Sequence, residues 1–187
     1  MCQFKSALCL KDRVFVPDYD SHDRMLKELG IPDDFTHASK TFVRVELSPA
    51  DGDKSSDPMG WRIKIDQDIL PDWFDHTRDE ERVKLAIAEW CKVHVLREGV
   101  HEVHDGVWYA YDSATVTACD SATVTAWNSA TVRAYDSATV EAYDSATVIL
   151  PKRWQSNSTI NLNDESICIN HKTHTIKSAI AWKVERG

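Results

Sequence analysis

Between Ala110 and Ile149, apolar and polar positions recur with a period of eight. Aligned on Ala110, Ala118, Ala126, Ala134 and Ala142, five copies share Ala at the first position and Ser-Ala-Thr-Val at positions four to seven. The third position is Asp112, Asp120, Asn128, Asp136 and Asp144. The second is Tyr111, Cys119, Trp127, Tyr135 and Tyr143, and the eighth Thr117, Thr125, Arg133, Glu141 and Ile149. A position that accepts Thr, Arg, Glu and Ile faces water. Side chains alternate along a strand, so the seventh-position Val and the next Ala face inward, and the sixth-position Thr joins the eighth outside. Thr-Val-x-Ala is therefore predicted as a short strand. Tyr-Asp-Ser is the bend, because Asp and Ser side chains bond to nearby backbone. A period of eight fits the helical repeat poorly, and β-branched and turn-forming residues in every copy oppose a helix.

One octad cannot bury its apolar face alone, so octads stack. Two per flattened coil give about 16 residues per turn, with strands of successive coils about 4.7–4.9 Å apart. Residues sixteen apart then form columns. Tyr111, Trp127 and Tyr143 make one aromatic column, and Cys119 and Tyr135 the other. Thr117, Arg133 and Ile149 line one outer face, Thr125 and Glu141 the other. The core is thin, built of Val116, Val124, Val132, Val140 and Val148 with the interleaved alanines, and with the serines as further candidate members. The alternative is an antiparallel meander with the same spacing.

The flanks carry other periods. Arg13–Val16 is strand-like. "DSHDRMLKELG" predicts a short helix capped at Asp20 or Ser21, with Met25, Leu26 and Leu29 apolar and Gly30 ending it. In "TFVRVEL", Val43, Val45 and Leu47 share a face, and in "WRIKI" so do Trp61, Ile63 and Ile65. Ser48–Gly60 is a polar loop. A capping box at Thr77 and Glu80 opens a helix with Val83, Ala86, Ile87, Trp90, Cys91 and His94 at helical spacing, up to Gly99. After Ile149, Pro151 interrupts the octads. Ile160, Leu162, Ile167 and Ile169 then resume period two, which continues or caps the stack. The expected fold is an α+β N-terminal domain (1–100) followed by a short β-solenoid (101–187, octads 110–149) with a C-terminal β cap. Open solenoid ends are exposed edges, so an incompletely covered end becomes a homodimer interface.

Composition narrows the function. The 187 residues, 42% of them hydrophobic, are enough to bury a core without metals or crosslinks. A net charge of −8 argues against nucleic-acid binding through a basic face and leaves room for an acidic surface that meets a basic partner. Five scattered cysteines without a C-x-x-C favour reduced thiols and a cytoplasmic setting. The N-terminus lacks a signal-peptide apolar region, and no apolar run reaches the roughly 20 residues of a membrane span.

The octads resemble those of ice-nucleation proteins, a likeness that implies a threonine-lined templating face. "TVT" occurs at Thr115–Thr117 and Thr123–Thr125, whereas later copies read TVR, TVE and TVI. The leading block, with "TFVRVEL", "WRIKIDQDILPDWF" and "AIAEWCK", resembles the lead-in module of phage and prophage proteins that precedes octads of the "DSATVEAY" kind. That resemblance implies a host-cell setting and no catalytic motif.

Three clusters invite chemistry. "HEVHD" (His101, His104) and "HKTH" (His171, His174) carry imidazoles that could ligate zinc. On a strand, however, residues three apart point to opposite faces, and no cysteine accompanies them. Asp66, Asp68, Asp72 and Asp75 could do acid–base work if burial drove their pKa values apart; a solvated turn entering a helix N-terminus, where acids are favourable, is the simpler account. Cys119, as a nucleophile, would need a base, and no histidine stands at the matching register sixteen residues away. No cofactor and no metal are implied. The acidic positions Asp112, Asp120, Asp136, Asp144 and Glu141, against Arg133 alone, form a row of anions that could imitate phosphates in a basic groove. The simpler role for each Asp is to shape its own bend. With Tyr111, Trp127, Tyr135 and Tyr143 they make the expected contact face. The expected function is a non-enzymatic interaction protein that blocks a host complex, such as nucleic-acid-guided defence machinery, as an anti-CRISPR protein does. The alternatives are a self-associating or ice-binding-like solenoid, and a ligand- or metal-binding enzyme using the N-terminal domain.

Overall fold

A computed structural model describes residues 5–49, 56–152 and 157–179. The chain divides into two units, Met1–Val93 and His94–Gly187. No helix among the described residues is long and apolar enough to cross a membrane.

The first unit is α+β. Strands β1 (Lys5–Leu10), β2 (Val14–Phe15), β3 (Phe42–Ser48) and β4 (Arg62–Ile65) form an antiparallel sheet in the order β2-β1-β3-β4. Helices α1 (His22–Glu28), α2 (Phe35–Ala38) and α3 (His76–His94) accompany it. Ser21 caps α1 by accepting from the Arg24 N–H, and Gly30 follows with φ 66°. Val43, Val45, Leu47 and Trp61 are buried as their alternation required. Residues 50–55 of the polar loop expected at Ser48–Gly60 fall outside the described residues, and Pro58–Gly60 make a 3-10 turn.

Two features of this unit differ from the sequence reading. The central strand β1 was not anticipated, because all six of its residues are buried and no alternation marks it. Its Lys5 ammonium donates to the Pro17 carbonyl (2.6 Å) and to Asp20 Oδ1 (2.9 Å), 4.5 Å from the centre of the Trp90 ring. Burial pushes the Lys5 pKa down despite the pull of Asp20. The cap of α3 also moves, to Asp75 and Asp79. The Arg78 N–H donates to Asp75 Oδ1 (2.8 Å), and the Asp75 N–H donates to Asp79 Oδ2 (2.8 Å). An Asp at the cap reaches the free N–H groups of the first turn as Thr77 was expected to, and the buried Asp79 returns the bond.

The second unit is a β-solenoid. Strands β5 (Val95–Leu96), β7 (Val107–Ala110), β9 (Thr123–Ala126), β11 (Thr139–Ala142) and β13 (Thr159–Leu162) lie in parallel in one sheet. Strands β6 (Val100–Val103), β8 (Thr115–Ala118), β10 (Thr131–Ala134), β12 (Thr147–Leu150) and β14 (Ile167–Asn170) form the other, and β15 (Thr175–Ser178) adds antiparallel to β14. Thr131 pairs with Thr115, and Thr139 with Thr123, sixteen residues apart. Parallel pairing rules out the meander. Coiling starts at Val95, before the first octad, because "VWYA" takes the place of Thr-Val-x-Ala.

The core is as thin as expected. Val116, Val124, Val132, Val140 and Val148 are fully buried, together with Ala110, Ala114, Ala118 and their equivalents in later octads. Each buried Val contributes roughly 1.5–3 kcal/mol relative to exposure. The serines are not part of it. Ser113, Ser121, Ser129, Ser137 and Ser145 are exposed, because the residue before each adopts positive φ and turns the chain outward. After the last octad the register lengthens: Thr139 pairs with Thr159, twenty residues on, so the segment holding Pro151 adds four residues to that coil. Residues 153–156 of this segment lie outside the described residues. The β14–β15 hairpin covers the edge of the larger sheet, while β13 has no strand beyond it among the described residues.

Candidate interaction face

The bends of the solenoid place the candidate residues. Every third-position residue has positive φ: Asp112 51°, Asp120 48°, Asn128 56°, Asp136 48° and Asp144 51°, followed by Asp164 at 54°. This left-handed conformation is costly for most L-residues and is tolerated best by Gly, Asn and Asp. Backbone geometry therefore explains why the position admits only Asp and Asn. The sequence reading assigned Asp to the bend through side-chain bonding; the dihedral angle is the stronger reason.

At one corner the rings form a stack. Tyr111 and Trp127 have centroids 4.7 Å apart at an interplanar angle of 8°, and Trp127 and Tyr143 lie 5.5 Å apart at 14°. Tyr109, which the sequence reading did not include, stacks on Trp127 at 6.0 Å and 19°. Its signal was present, since Tyr109 pairs with Thr125 and so occupies an eighth position in the coil before the octads. Tyr111 is only 3% exposed, enclosed within this stack, and so presents almost no surface to a partner. Trp127, Tyr143 and, in the other column, Tyr135 are half-buried. Tyr143 Oη donates to Glu141 Oε2 (3.3 Å), and burial, then Glu141, raise its pKa.

The carboxylates run along both corners. Asp112, Asp120 and Asp144 are exposed, and Asp136 and Glu141 half-buried. In the first corner, Asn128 Nδ2 donates to Asp112 Oδ1 (2.9 Å), and the Asn128 N–H donates to Asp144 Oδ2 (3.1 Å). A basic side chain stands beside the first acid of each corner. Arg97 Nε is 3.4 Å from Asp112 Oδ2, and His104 Nδ1 is 2.8 Å from Asp120 Oδ2.

The chemical clusters divide. His101 Nε2 meets the Glu98 carbonyl (2.7 Å), while His171 and His174 occupy the β14–β15 turn. His104 lies in a bend beyond β6, so of these four only His101 is on a strand. Asp66, Asp68, Asp72 and Asp75 are all exposed, so burial does not separate them. Asp75 caps α3, and Lys64 holds the Asp66 carboxyl below its ordinary range. His22, Glu46 and Asp66 converge, but the Lys64 ammonium already bonds Glu46 (3.1 Å) and Asp66 (3.0 Å).

Cys119 has a histidine neighbour after all. The coil beneath it is shorter: Val103 pairs with Ala118, fifteen residues on, so His104 falls next to Cys119. Burial, then the carboxylates of Glu102, Asp136 and Asp120, raise the thiol pKa, which opposes a role as a free nucleophile. His104 is pushed up chiefly by its bond to Asp120, against some burial, with help from Glu102.

No protein-family model matches the chain, and no curated protein and no solved structure matches it.

Proposed function

We propose that the chain is a non-catalytic interaction protein whose solenoid offers one acidic, aromatic corner to a basic protein surface. The supporting observation is the continuous stack Tyr111–Trp127–Tyr143, with the exposed Asp112 and Asp144 beside it. Stacked rings at the ends of paired parallel strands form a rigid surface that loses little conformational entropy on binding. Part-exposed Trp and Tyr supply the kind of anchor that dominates interfaces. The row of anions provides electrostatic steering toward a cationic partner. The likeness of the octads to those of phage and prophage proteins makes a host defence complex, with a groove built for nucleic acid, the partner class; the setting is then the host cytoplasm.

The third-position dihedral supplies a clean test. Asn adopts the same conformation as Asp and already does so at Asn128. Replacing Asp112, Asp120, Asp136 and Asp144 by Asn, and Glu141 by Gln, removes five negative charges while keeping the bends. In a bacterium carrying a nucleic-acid-guided defence system, the wild-type chain should relieve interference and associate with the effector complex. The neutralised variant should do neither, with an unchanged circular dichroism spectrum. Equal activity of the two proteins, or none in either, rejects the reading.

A second reading is self-association. It is favoured by β13, whose outer edge has no neighbouring strand among the described residues. Light scattering across a concentration series separates a dimer built this way from a monomeric inhibitor.

A further inference from the structure

Two departures from the octad pattern and one acidic side chain meet at one point. Cys119 is the single second-position residue that is not aromatic. In the coil beneath, Val103 pairs with Ala118, and the Gly106 carbonyl accepts from Thr123 N–H (2.9 Å) as the Ala122 carbonyl does from Thr139 (2.9 Å). Two residues, His104 and Asp105, thus span a bend for which the octad above uses three, Cys119, Asp120 and Ser121. The missing residue is the one that would lie under Cys119, and the His104 imidazole lies beside the thiol instead. Glu102 completes the group. It pairs with Thr117 at an outward position and faces His104 Nε2 across 3.1 Å.

From this geometry we infer that Glu102, His104 and Cys119 form a binding site for a divalent transition-metal ion, best suited to zinc. Their ligand atoms all lie within 4.8 Å of one another. Zinc takes mixed thiolate, imidazole and carboxylate sets at about 2.0–2.3 Å, so side-chain rotations of roughly an ångström bring the three into range. Sulfur and nitrogen together select against magnesium and calcium. Three protein ligands leave a fourth position open to water.

Both the imidazole and the backbone are arranged for this. His104 Nδ1 is engaged by Asp120 Oδ2 at 2.8 Å, which holds the ring with Nε2 turned toward Glu102. A carboxylate behind a metal-bound histidine is the usual outer partner, fixing tautomer and orientation. The strands fix the spacing, since the Cys119 N–H donates to the Val103 carbonyl (2.8 Å) and the Ser121 N–H to the His104 carbonyl (3.1 Å). The same Nε2–Glu102 contact disfavours a cysteine–histidine nucleophile, because the nitrogen that would serve as base is turned to a carboxylate. The other described cysteines, Cys9, Cys91 and Cys168, are buried. Glu102 and His104 are exposed, so solvent ions reach the site.

The test is titration of the full chain with Co²⁺ and Zn²⁺ under reducing conditions. One equivalent of Co²⁺ should produce a thiolate-to-metal charge-transfer band and the visible bands of a four-coordinate site, and Zn²⁺ should displace it. Cys119→Ser should abolish the charge-transfer band, as should Cys119→Tyr, which restores a residue common in the octads and so preserves the fold. Cys2→Ser should leave the band intact. His104→Ala and Glu102→Gln should each weaken binding at least tenfold. Asp120→Asn should weaken it about 10–100-fold while the thiolate band persists at saturation. A full-strength band in Cys119→Tyr, its loss in Cys2→Ser, or no stoichiometric Co²⁺ binding by the wild-type chain overturns the assignment.

Discussion

Asn128 donates from its side chain to Asp112, 2.9 Å away and sixteen residues earlier, at the third position where every other octad carries Asp. Its backbone N–H donates in turn to Asp144 in the next coil. The amide therefore sits between two carboxylates that stacking would otherwise crowd. Asn128→Asp should make an unbroken run of four acids from Asp112 to Asp164 and lower stability by about 0.5–1 kcal/mol at low salt. Thermal melts at low and high ionic strength check this: the loss should shrink as salt screens the repulsion.

The core is only one valine thick per strand, so each valine counts. Val132 lies fully buried in the middle of the larger sheet, paired with Val116 and Val148. Val132→Ala removes two methyl groups and leaves a cavity that rigid parallel strands cannot close. A loss of about 2 kcal/mol is expected from urea unfolding. The outward-facing Arg133→Thr, beside it, should cost less than about 0.5 kcal/mol.

At Asp136, φ is 48°. Asp136→Asn and Asp136→Gly should both be nearly neutral, whereas Asp136→Val should cost about 1–2 kcal/mol, since a β-branched residue strains in this conformation. If denaturant unfolding shows Val to be as well tolerated as Asn, backbone conformation is not what restricts this position to Asp and Asn.

In the first unit, Asp79 governs acid stability. Burial pushes its carboxyl up, but bonds from Arg78, the Asp75 N–H and Arg82 outweigh it and hold the group at about 2. A carboxyl whose pKa falls on folding contributes stability above its unfolded value near 4, and that contribution disappears as pH drops toward 2. Asp79→Asn should therefore destabilise the chain at pH 7, by roughly 2–3 kcal/mol, and the gap to wild type should narrow between about pH 4 and pH 2. Paired melts across that window measure it.

Much of the solenoid was legible because the octad repeats its own argument. The tolerance of the eighth position for Thr117, Arg133 and Ile149 identified the outer face, and alternation then placed Val and Ala inside. The start of the stack at Val95 was hidden because "VWYA" shares only its alternation with the later strands. In the first unit, β1 was hidden for a different reason: Lys5 and Ser6 read as polar, yet Asp20 and backbone carbonyls satisfy the lysine in the interior. The candidate face was legible as a column of rings, but not that Tyr111 would be enclosed and Tyr109 recruited.

What the amino-acid sequence determined by itself was the local rule: the strand, the bend, the inward Val and Ala, and the coil of two octads. These follow from side-chain alternation and turn chemistry, which act over a few residues. Only the tertiary structure decided how coils of unequal length align. One residue fewer beneath Cys119 moves His104 beside a thiol, and four more after Ile149 shift every later strand by the same amount. Register between coils is set by backbone hydrogen bonds across the stack, and no window of sequence shorter than a full turn contains both partners of such a bond.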